Sequence, residues 1–403
     1  MPITNRNSGV HGIGYDWKEI SMYAEAEGAI ALRSVFELIA GNAAAQIDHD
    51  PAWLGAMSQG STKRFELWIA TKAGEVVGYA PLFVHPSALD FEALGMTLLS
   101  YPFERLTMTG SPILKPGEPE GELHASLMHA LSQWLGGGQV LFGLGIPTLC
   151  AFGDYLKGGN VGFRQLQSGA SYERRTIEFQ GDFDWYMGQL GAKTRQELRR
   201  QERRLQKDAR SVAVRTYSSV GEVEDFLNAA QEVSSQTYQW HMHGLKIHND
   251  PAARALLEVA AQAGWFRSYV LFCDDAPAAF MLGYLYNRTY ESVHIGYVQK
   301  WSDYSVGNVL HLHVVRDLVQ PGVAAKIFDF MYGDNSNKER LSTSSRTECN
   351  LYLFPQTLKW RLLSGSLRLF NSSAAAIARF LQSKGLMTRL RSYMRRRSVR
   401  NSM

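Results

Sequence analysis

The same succession of predicted elements occurs twice along the 403 residues of this chain. Each half has two apolar, aromatic-rich segments around a tight turn, which predicts a β-hairpin, followed by a strand, an amphipathic helix and another strand. In the first half these segments are 65–70, 75–84, 105–109, 122–135 and 139–145. In the second half they are 265–272, 278–286, 289–297, 305–319 and 326–331. An offset of about 185 to 200 residues is too long for a solenoid repeat and predicts tandem α/β domains with mixed central sheets.

The boundary between the halves is expected near Gly181, where a predicted strand ends and helical residues begin. At about 150 residues per domain, the length of the chain fits two or three domains. The boundary region is not rich in Pro or Ser, so we expect the halves to pack closely. The expected parts are a non-catalytic N-terminal domain over 1–180, a catalytic C-terminal domain over 181–371 and a basic amphipathic tail over 372–403.

Composition excludes several classes of protein. The three cysteines are far apart and form no CxxC pair, which argues against a disulfide framework or a zinc site. The first residues lack the apolar core of a signal peptide and no apolar run approaches the roughly 18 residues of a membrane span. We therefore expect a soluble, cytoplasmic protein without a metal.

The net charge of +4 is unevenly distributed. Residues 384–403 carry +7 and no acid, so residues 1–383 sum to −3. The tail at 374–397 reads as an amphipathic basic helix, which is typical of a contact with an anionic membrane or a partner. A frayed, solvated chain end is the alternative.

Three local patterns in the second half resemble the GNAT superfamily, and within it the CelD-type acetyltransferases of polysaccharide biosynthesis, which are similar to the FemABX aminoacyl transferases. A basic helix, KTRQELRRQERRLQKDA, matches the family's R-x-x-x-R-R-x-x-R-R-L run. The segment YSVGNVL stands at the family's Ser-Pro-Gly helix start, with Val306 in place of Pro. The segment DFMYGDNSNK matches D-x-x-x-G-x-x-x-Y-K, with Asn337 in place of Tyr.

The resemblance implies an acyltransferase of tandem GNAT-like architecture. The implied reaction moves an acetyl group from acetyl-CoA to an amine or hydroxyl of a sugar or polysaccharide precursor. A FemABX-like transfer from aminoacyl-tRNA is the second interpretation, and the basic helix favours it. A third interpretation is a catalytically silent scaffold of an envelope-polysaccharide system, because the family's tyrosine often protonates the departing thiolate and Asn337 cannot take that role.

A helix start presents unpaired amides and the positive end of a dipole, which suits a pyrophosphate. The resemblance assigns this role to the turn at the start of the second half's helix, and an ordinary N-cap is the alternative. The corresponding helix of the first half begins amid Glu118, Glu120 and Glu122, which would repel phosphate. We therefore expect donor binding in the second half only. The candidate donor-binding residues are Ser305, Val306, Gly307 and Asn308.

Acyl transfer needs a base for the proton of the acceptor. In this fold the strand at 289–297 lies beside the thioester, and it offers Glu291 and His294. Their odd separation places them on opposite faces of a regular strand, so at most one lines the cleft unless a bulge intervenes, and Gly296 hints at a bulge. His294 is slightly preferred because the ordinary pKa of histidine suits a base at neutral pH, and a hydrogen-bonded structural histidine is the alternative. Asp329, which the family match supports best, is expected to orient a partner or the acceptor.

The remaining candidates concern the substrates. A loop with three histidines and two aromatics is expected to border the acceptor, and plain loop packing is the alternative. A zinc site is disfavoured, because no further ligands stand near the three histidines. The basic helix can meet a polyanion, such as the phosphates of CoA or tRNA, or it is a solvated face held by Leu198 and Leu205. The candidate substrate-binding residues are Tyr238, Trp240, His241, His243, Arg199, Arg203 and Lys338.

Overall fold

A computed structural model of the chain describes residues 10–12, 15–20, 26–40, 42–58, 64–93, 96–159, 162–236 and 247–383. The strands are β1 Val10–Gly12, β2 Tyr15–Ile20, β3 Arg64–Lys72, β4 Glu75–Ala93, β5 Met96–Thr109, β6 Ile113–Leu114, β7 Gln139–Pro147, β8 Phe163–Glu178, β9 Val212–Tyr217, β10 Ser268–Cys273, β11 Ala276–Tyr286, β12 Thr289–Tyr297, β13 Ile327–Asp329 and β14 Ser344–Pro355. The helices are α1 Ala26–Ala40, α2 Pro51–Ser58, α3 Glu120–Trp134, α4 Ala151–Lys157, α5 Phe183–Gln189, α6 Ala192–Asp208, α7 Val223–Ser235, α8 Pro251–Gln262, α9 Val306–Leu318, α10 Ser336–Leu341 and α11 Leu358–Ser383.

Both predicted hairpins are confirmed, and each closes through a two-residue turn in the left-handed region. β3 and β4 pair up to Lys72 and Glu75, with φ of 50° at Ala73 and 83° at Gly74. β10 and β11 pair up to Cys273 and Ala276, around Asp274 and Asp275. Positive φ at both turn residues matches the right-handed twist of the strands.

All the strands belong to one mixed sheet, in the order β1-β2-β3-β4-β5-β7-β14-β8-β13-β12-β11-β10-β9, with β6 beside β4. Neighbours are antiparallel except at β5·β7 and β12·β13, where a helix connects two parallel strands in each half. This repetition of the parallel crossover confirms the mixed tandem architecture predicted from the repeated element order.

The two halves are joined by strands that cross the expected boundary. β8 precedes Gly181 in sequence, yet it pairs with β14 from Phe163 to Thr176 and with β13 from Thr176 to Glu178. β14 in turn pairs with β7 of the first half. The expected close packing of the halves takes the form of a continuous backbone hydrogen-bond network.

The largest core cluster also contains side chains from both halves. Ile69 and Tyr79 of β3 and β4 belong to the same cluster as Ile177, Tyr290 and Phe328, all at most 1% exposed. A second cluster packs α3 on the other face of the first half's strands, through Leu123, Leu127 and Leu131. The helical spacing of these leucines in the sequence is thus confirmed as the buried face of α3.

The C-terminal helix begins earlier than predicted. α11 starts at Leu358, whereas the amphipathic pattern predicts a helix from 374. Its first turns are anchored by Trp360 and Leu367, which pack with Phe103 and Phe354. Residues 384–397 of the predicted tail helix lie outside the described residues.

Candidate active site

β12 and β13 separate after a short parallel pairing. They pair at three positions only, the last being Glu291 with Asp329, and β12 then continues to Tyr297 without β13. The start of α9 lies beside this diverging part of β12, because a Cβ placed on Gly307 would be 3.8 Å from Ile295 Cδ1. The second half therefore has an open fork between two strands, with a helix start next to it.

The corresponding strands of the first half form no such fork. β5 and β7 pair over six positions, from Glu104 with Gln139 to Thr109 with Leu144. The turn before α3 is acidic, and its Glu118 accepts hydrogen bonds from Tyr15 Oη at 3.0 Å and Lys72 Nζ at 2.8 Å. The asymmetry between the halves supports the expectation that a donor binds the second half only.

The fork of the second half opens into a cavity of about 700 Å³. Its walls come from both halves: the segment 47–57 supplies Asp48, Trp53 and Met57, while β12, α9 and the chain after β13 supply much of the rest. The predicted residues that line this cavity are Glu291, His294, Gly307, Asn308 and Lys338. The cavity thus brings together members of each predicted class: base, donor-binding and substrate-binding residues.

A β-bulge places both Glu291 and His294 at the cavity. Leu282 faces His294 and Gly283 faces Ser292, so Val293 is the extra residue. The sequence suggested a bulge at Gly296, but the bulge lies at Val293. Gly296 pairs regularly with Phe280, and a Cβ there would lie 2.5 Å from the Phe280 ring, so packing explains this glycine.

Glu291 is a buried carboxyl group with unused hydrogen-bonding capacity. Its side chain is 3% exposed, and its Oε1 has no hydrogen-bond partner within the described residues. Burial, reinforced by the charges of Asp48 and Asp329, raises its pKa to about 8, although Arg174 opposes that shift. At pH 7 a carboxyl group with this pKa is largely protonated, and its deprotonated form, which becomes more populated as the pH approaches 8, is a stronger base than an ordinary carboxylate.

Asp329 forms a buried ion pair beneath the cavity. Its carboxylate accepts hydrogen bonds from Arg174 Nε at 3.0 Å and 2.8 Å and from the Met331 amide at 2.7 Å. Both members of this ion pair are buried, and Asp329 is not part of the cavity wall. Asp329 therefore fixes the end of β13, and its charge helps to raise the pKa of Glu291.

The start of α9 differs from an ordinary N-cap. Ser305 occupies the N-cap position with left-handed backbone angles, φ 52° and ψ 46°, and its side chain makes no capping hydrogen bond. Val306 is fully buried. Gly307 and Asn308 alone of the four predicted donor-binding residues line the cavity.

A closed ring of hydrogen-bonded side chains holds the start of α9 against α6 and α10. Gln201 donates to Glu197 at 3.0 Å and accepts from Asn308 at 3.1 Å. Asn337 donates to Asn308 at 3.2 Å, and Arg340 donates to Asn337 and to Glu197, each at 2.8 Å. Asn337, which replaces the family's tyrosine, is thus a structural member of this ring.

The other predicted substrate-binding residues are distributed differently. Lys338 Nζ donates to the carbonyl oxygens of Phe330 and Tyr332, both at 2.7 Å, so it ties down the loop after β13. Arg199 and Arg203 are exposed on α6 and do not line the cavity. Tyr238, Trp240, His241 and His243 lie outside the described residues. Within the described residues, no group of His, Cys, Asp or Glu is arranged to hold a metal ion.

Several cavity residues were missed by sequence reasoning. Asp48 and Met57 also line a second cavity, of about 290 Å³, in the first half. That cavity contains Arg105, whose Nε donates to His85 Nε2 at 3.0 Å. Their roles depend on contacts between distant segments, and no local pattern in the sequence marks them.

Residues 192–339 match the family model described as "Acetyltransferase (GNAT) domain". Over these residues the chain is similar to the GNAT acetyltransferase domain. This domain includes α6, β12, the start of α9 and the loop after β13, which together form most of the site. The predicted GNAT resemblance is therefore confirmed for this part of the chain. No curated protein matches the chain.

Solved structures similar to the chain include FemX, at 10% identity and a TM-score of 0.58, covering 83% of this chain and 98% of FemX. L-PGS from Bacillus licheniformis is 15% identical, with a TM-score of 0.47, and the match covers 85% of this chain and 96% of L-PGS. A tandem GNAT protein from the clavulanic acid biosynthesis pathway is 11% identical, with a TM-score of 0.47, and the match covers 84% of this chain and 98% of that protein. The similarity to FemX shows a shared fold that extends over both halves.

Proposed function

We propose that the protein transfers an acetyl group from acetyl-CoA to an amine or hydroxyl of a sugar-related acceptor, at the fork between β12 and β13. The observation that supports this most strongly is the position of Glu291: a buried carboxyl group with an unbonded oxygen among the described residues lies where the strands diverge, next to a helix start. The GNAT domain supports acyl transfer as the reaction class.

In this proposal the donor lies along β12 with its phosphates at the start of α9. The first amides of a helix have no carbonyl partner within it, and the dipole adds positive potential. The backbone at Gly307 is not crowded, because a Cβ placed there would make only ordinary contacts with Ile295 and Tyr297. The donor can therefore approach this backbone closely. Exposed Tyr297 and Ile295 offer apolar contacts to a pantetheine chain.

Glu291 is proposed as the general base, and His294 as the second candidate for that role. The nucleophile of the acceptor forms a bond to the thioester carbonyl carbon, its proton passes to Glu291, and the carbon–sulfur bond breaks. Partial burial lowers the pKa of His294, so this side chain is neutral at pH 7 and also capable of accepting a proton. The raised pKa of Glu291 and its available oxygen favour the carboxylate.

The thiolate that departs needs a proton, and Asn337 cannot supply it. Tyr284 and Tyr332 line the cavity, and burial raises the pKa of both phenols. Both therefore keep their proton at neutral pH and can donate a hydrogen bond to the departing sulfur; because a raised pKa makes a phenol a weaker acid, the thiolate takes its proton from water. The rings of Trp53, Tyr284 and Tyr332 also offer apolar faces against which a sugar ring packs.

Calorimetry with acetyl-CoA tests the donor site directly. Gly307→Asp places a carboxylate where the phosphates are proposed to lie, so heat of binding should disappear while the melting temperature is retained. Gly307→Ala is the matched control, because its Cβ makes only ordinary contacts at 3.8 Å and 4.0 Å. Unchanged affinity in Gly307→Asp would rule out this site, and no heat from the native protein would favour the scaffold.

Transfer from aminoacyl-tRNA is the second candidate, since Arg199 and Arg203 form no ion pair with a described residue and face solvent along α6. A row of exposed guanidinium groups suits a phosphate backbone. Filter binding with tRNA distinguishes the two functions. Retention of tRNA that is lost in the Arg199→Gln, Arg203→Gln double variant, together with no heat from acetyl-CoA, would replace the proposed donor.

A further inference from the structure

A stripe of leucines faces solvent along the first turns of α11. Leu358, Leu362 and Leu369 are 73%, 64% and 74% exposed, and their spacing places them on one side of the helix. We call these three residues the leucine stripe. A contiguous exposed apolar surface of this kind marks an interaction site more often than a single exposed leucine does.

The opposite side of α11 is fixed in the protein, so the stripe has a defined direction. Trp360 and Ser364 are fully buried and Leu367 is 5% exposed. Trp360 and Leu367 pack with Leu89 and Phe103 of the β4–β5 hairpin. Rotation of α11 to bury the stripe would expose this cluster, so the stripe remains on the outside.

The surroundings of the stripe are cationic. Lys359, Arg361 and Arg368 are exposed on α11. From residue 349 to residue 403 the chain has 11 Lys or Arg and no Asp or Glu, whereas residues 1–348 sum to −7. The apolar stripe therefore belongs to the only long stretch of this sequence that carries basic charge without acids.

These observations distinguish between possible occupants of the stripe. The chain's own residues 384–403 carry +7, and a second copy presents the same cationic helix, so charge repulsion opposes both. RNA would satisfy the basic charge but would leave three leucines in water, since RNA is recognised with aromatic and guanidinium groups. An anionic lipid surface satisfies both features at once, because it offers negative headgroups above an apolar layer.

We propose that α11 docks the protein on a membrane surface that contains anionic phospholipid. The leucine stripe enters the boundary between headgroups and acyl chains, and the basic side chains of α11 meet the lipid phosphates. The exposed Leu98 and Leu99 of the β4–β5 hairpin, 61% and 59% exposed, belong to the element against which α11 packs. No described helix is long and apolar enough to cross a bilayer, so the proposed contact is at the surface.

Co-sedimentation with vesicles tests the proposal on the full chain. We expect binding to vesicles of phosphatidylcholine mixed with phosphatidylglycerol, and little binding to phosphatidylcholine alone. The triple variant Leu358→Ser, Leu362→Ser, Leu369→Ser should bind anionic vesicles roughly tenfold or more weakly, from the loss of three partly inserted leucines. Leu149→Ser, at an 88% exposed leucine outside α11, is the matched control and should bind like the native protein.

Further measurements distinguish lipid docking from dimer formation and from RNA binding. Deletion of 384–403 should weaken vesicle binding and leave its dependence on the leucines intact; loss of that dependence overturns the proposal. Equal binding of the triple variant and the native protein to anionic vesicles also overturns it.

Light scattering should give the same mass for both proteins, and a dimer present only with the leucines would assign the stripe to a second copy instead. Competition of tRNA with the vesicles, unaffected by the leucine substitutions, would assign α11 to RNA.

Discussion

At the scale of single residues, the site is defined by two neighbouring carboxyl groups, one that is ion-paired and one that is not. Asp329 is neutralised by Arg174, whereas Glu291, its neighbour in the β12·β13 register, has no hydrogen-bonded cation among the described residues. At this register position, therefore, the Asp329 carboxylate is held in an ion pair, whereas Glu291 stays protonated near neutral pH. This difference leads to a prediction that can be tested without knowing the acceptor.

Glu291→Gln should stabilise the protein at pH 8 and have little effect at pH 5. The pKa of Glu291 is raised to about 8 in the folded state, so the folded protein binds the proton more tightly than the unfolded chain does. Native stability therefore falls as pH rises from about 4.5 to about 8, and Gln removes that loss. Melting temperatures of both proteins across this pH range are the measurement, and parallel curves would contradict the raised pKa.

The same substitution should reduce acyl transfer, and the native rate should rise with pH up to about 8 as Glu291 loses its proton. Loss of a general base costs roughly 100-fold or more in rate. Glu66→Gln is the matched control: burial and Glu19 raise the pKa of Glu66 to about 7, but Glu66 does not line the cavity. Release of thiol from acetyl-CoA is the measurement. Normal turnover by Glu291→Gln would transfer the role of base to His294.

At the scale of elements, the closed ring of Glu197, Gln201, Asn308, Asn337 and Arg340 fixes where α9 begins. Gln201→Met removes two hydrogen bonds of this ring and leaves Asn308 without one partner. We expect a loss of about 1 to 3 kcal/mol in the free energy of unfolding and weaker binding of acetyl-CoA.

The control for this substitution lies on the same helix. Gln206 is exposed on α6, so Gln206→Met makes the same chemical change without touching the ring. Denaturant unfolding and calorimetry with acetyl-CoA should separate the two variants. Equal stability and equal affinity would show that the ring does not hold the start of α9.

Individual elements could be predicted because their signals are local. Hairpin turns, the leucines of α3 and the buried valines of α9 follow from spacing and from turn residues over a few positions. The bulge at Val293 could be anticipated only as a condition on Glu291 and His294, since its position depends on how β12 pairs with β11. The ring needs three helices that are far apart in sequence, and Asp48 reaches the site from the other half, so neither leaves a local pattern.

At the scale of the whole molecule, β8 and β14 decide how the halves depend on each other. β14 has β7 on one side and β8 on the other, so its hydrogen-bonding partners both precede the expected boundary at Gly181. The repeated element order revealed two similar halves, but it could not reveal that their central strands are interleaved. The pairing of distant strands is set by burial and register across the sheet and not by the residues at the boundary.

This interleaving predicts that the second half does not fold alone. A fragment comprising 181–371 would leave both edges of β14 unpaired and β13 without β8, and it would lose Trp53 and Met57 from the cavity wall. Exposed edges of that kind aggregate, so we expect an insoluble fragment that binds no acetyl-CoA. The full chain should unfold in one calorimetric transition, since the core cluster spans both halves. Two separate transitions, or a soluble fragment that binds acetyl-CoA, would show that the sheet is divisible at Gly181 and that the first half contributes nothing essential to the site.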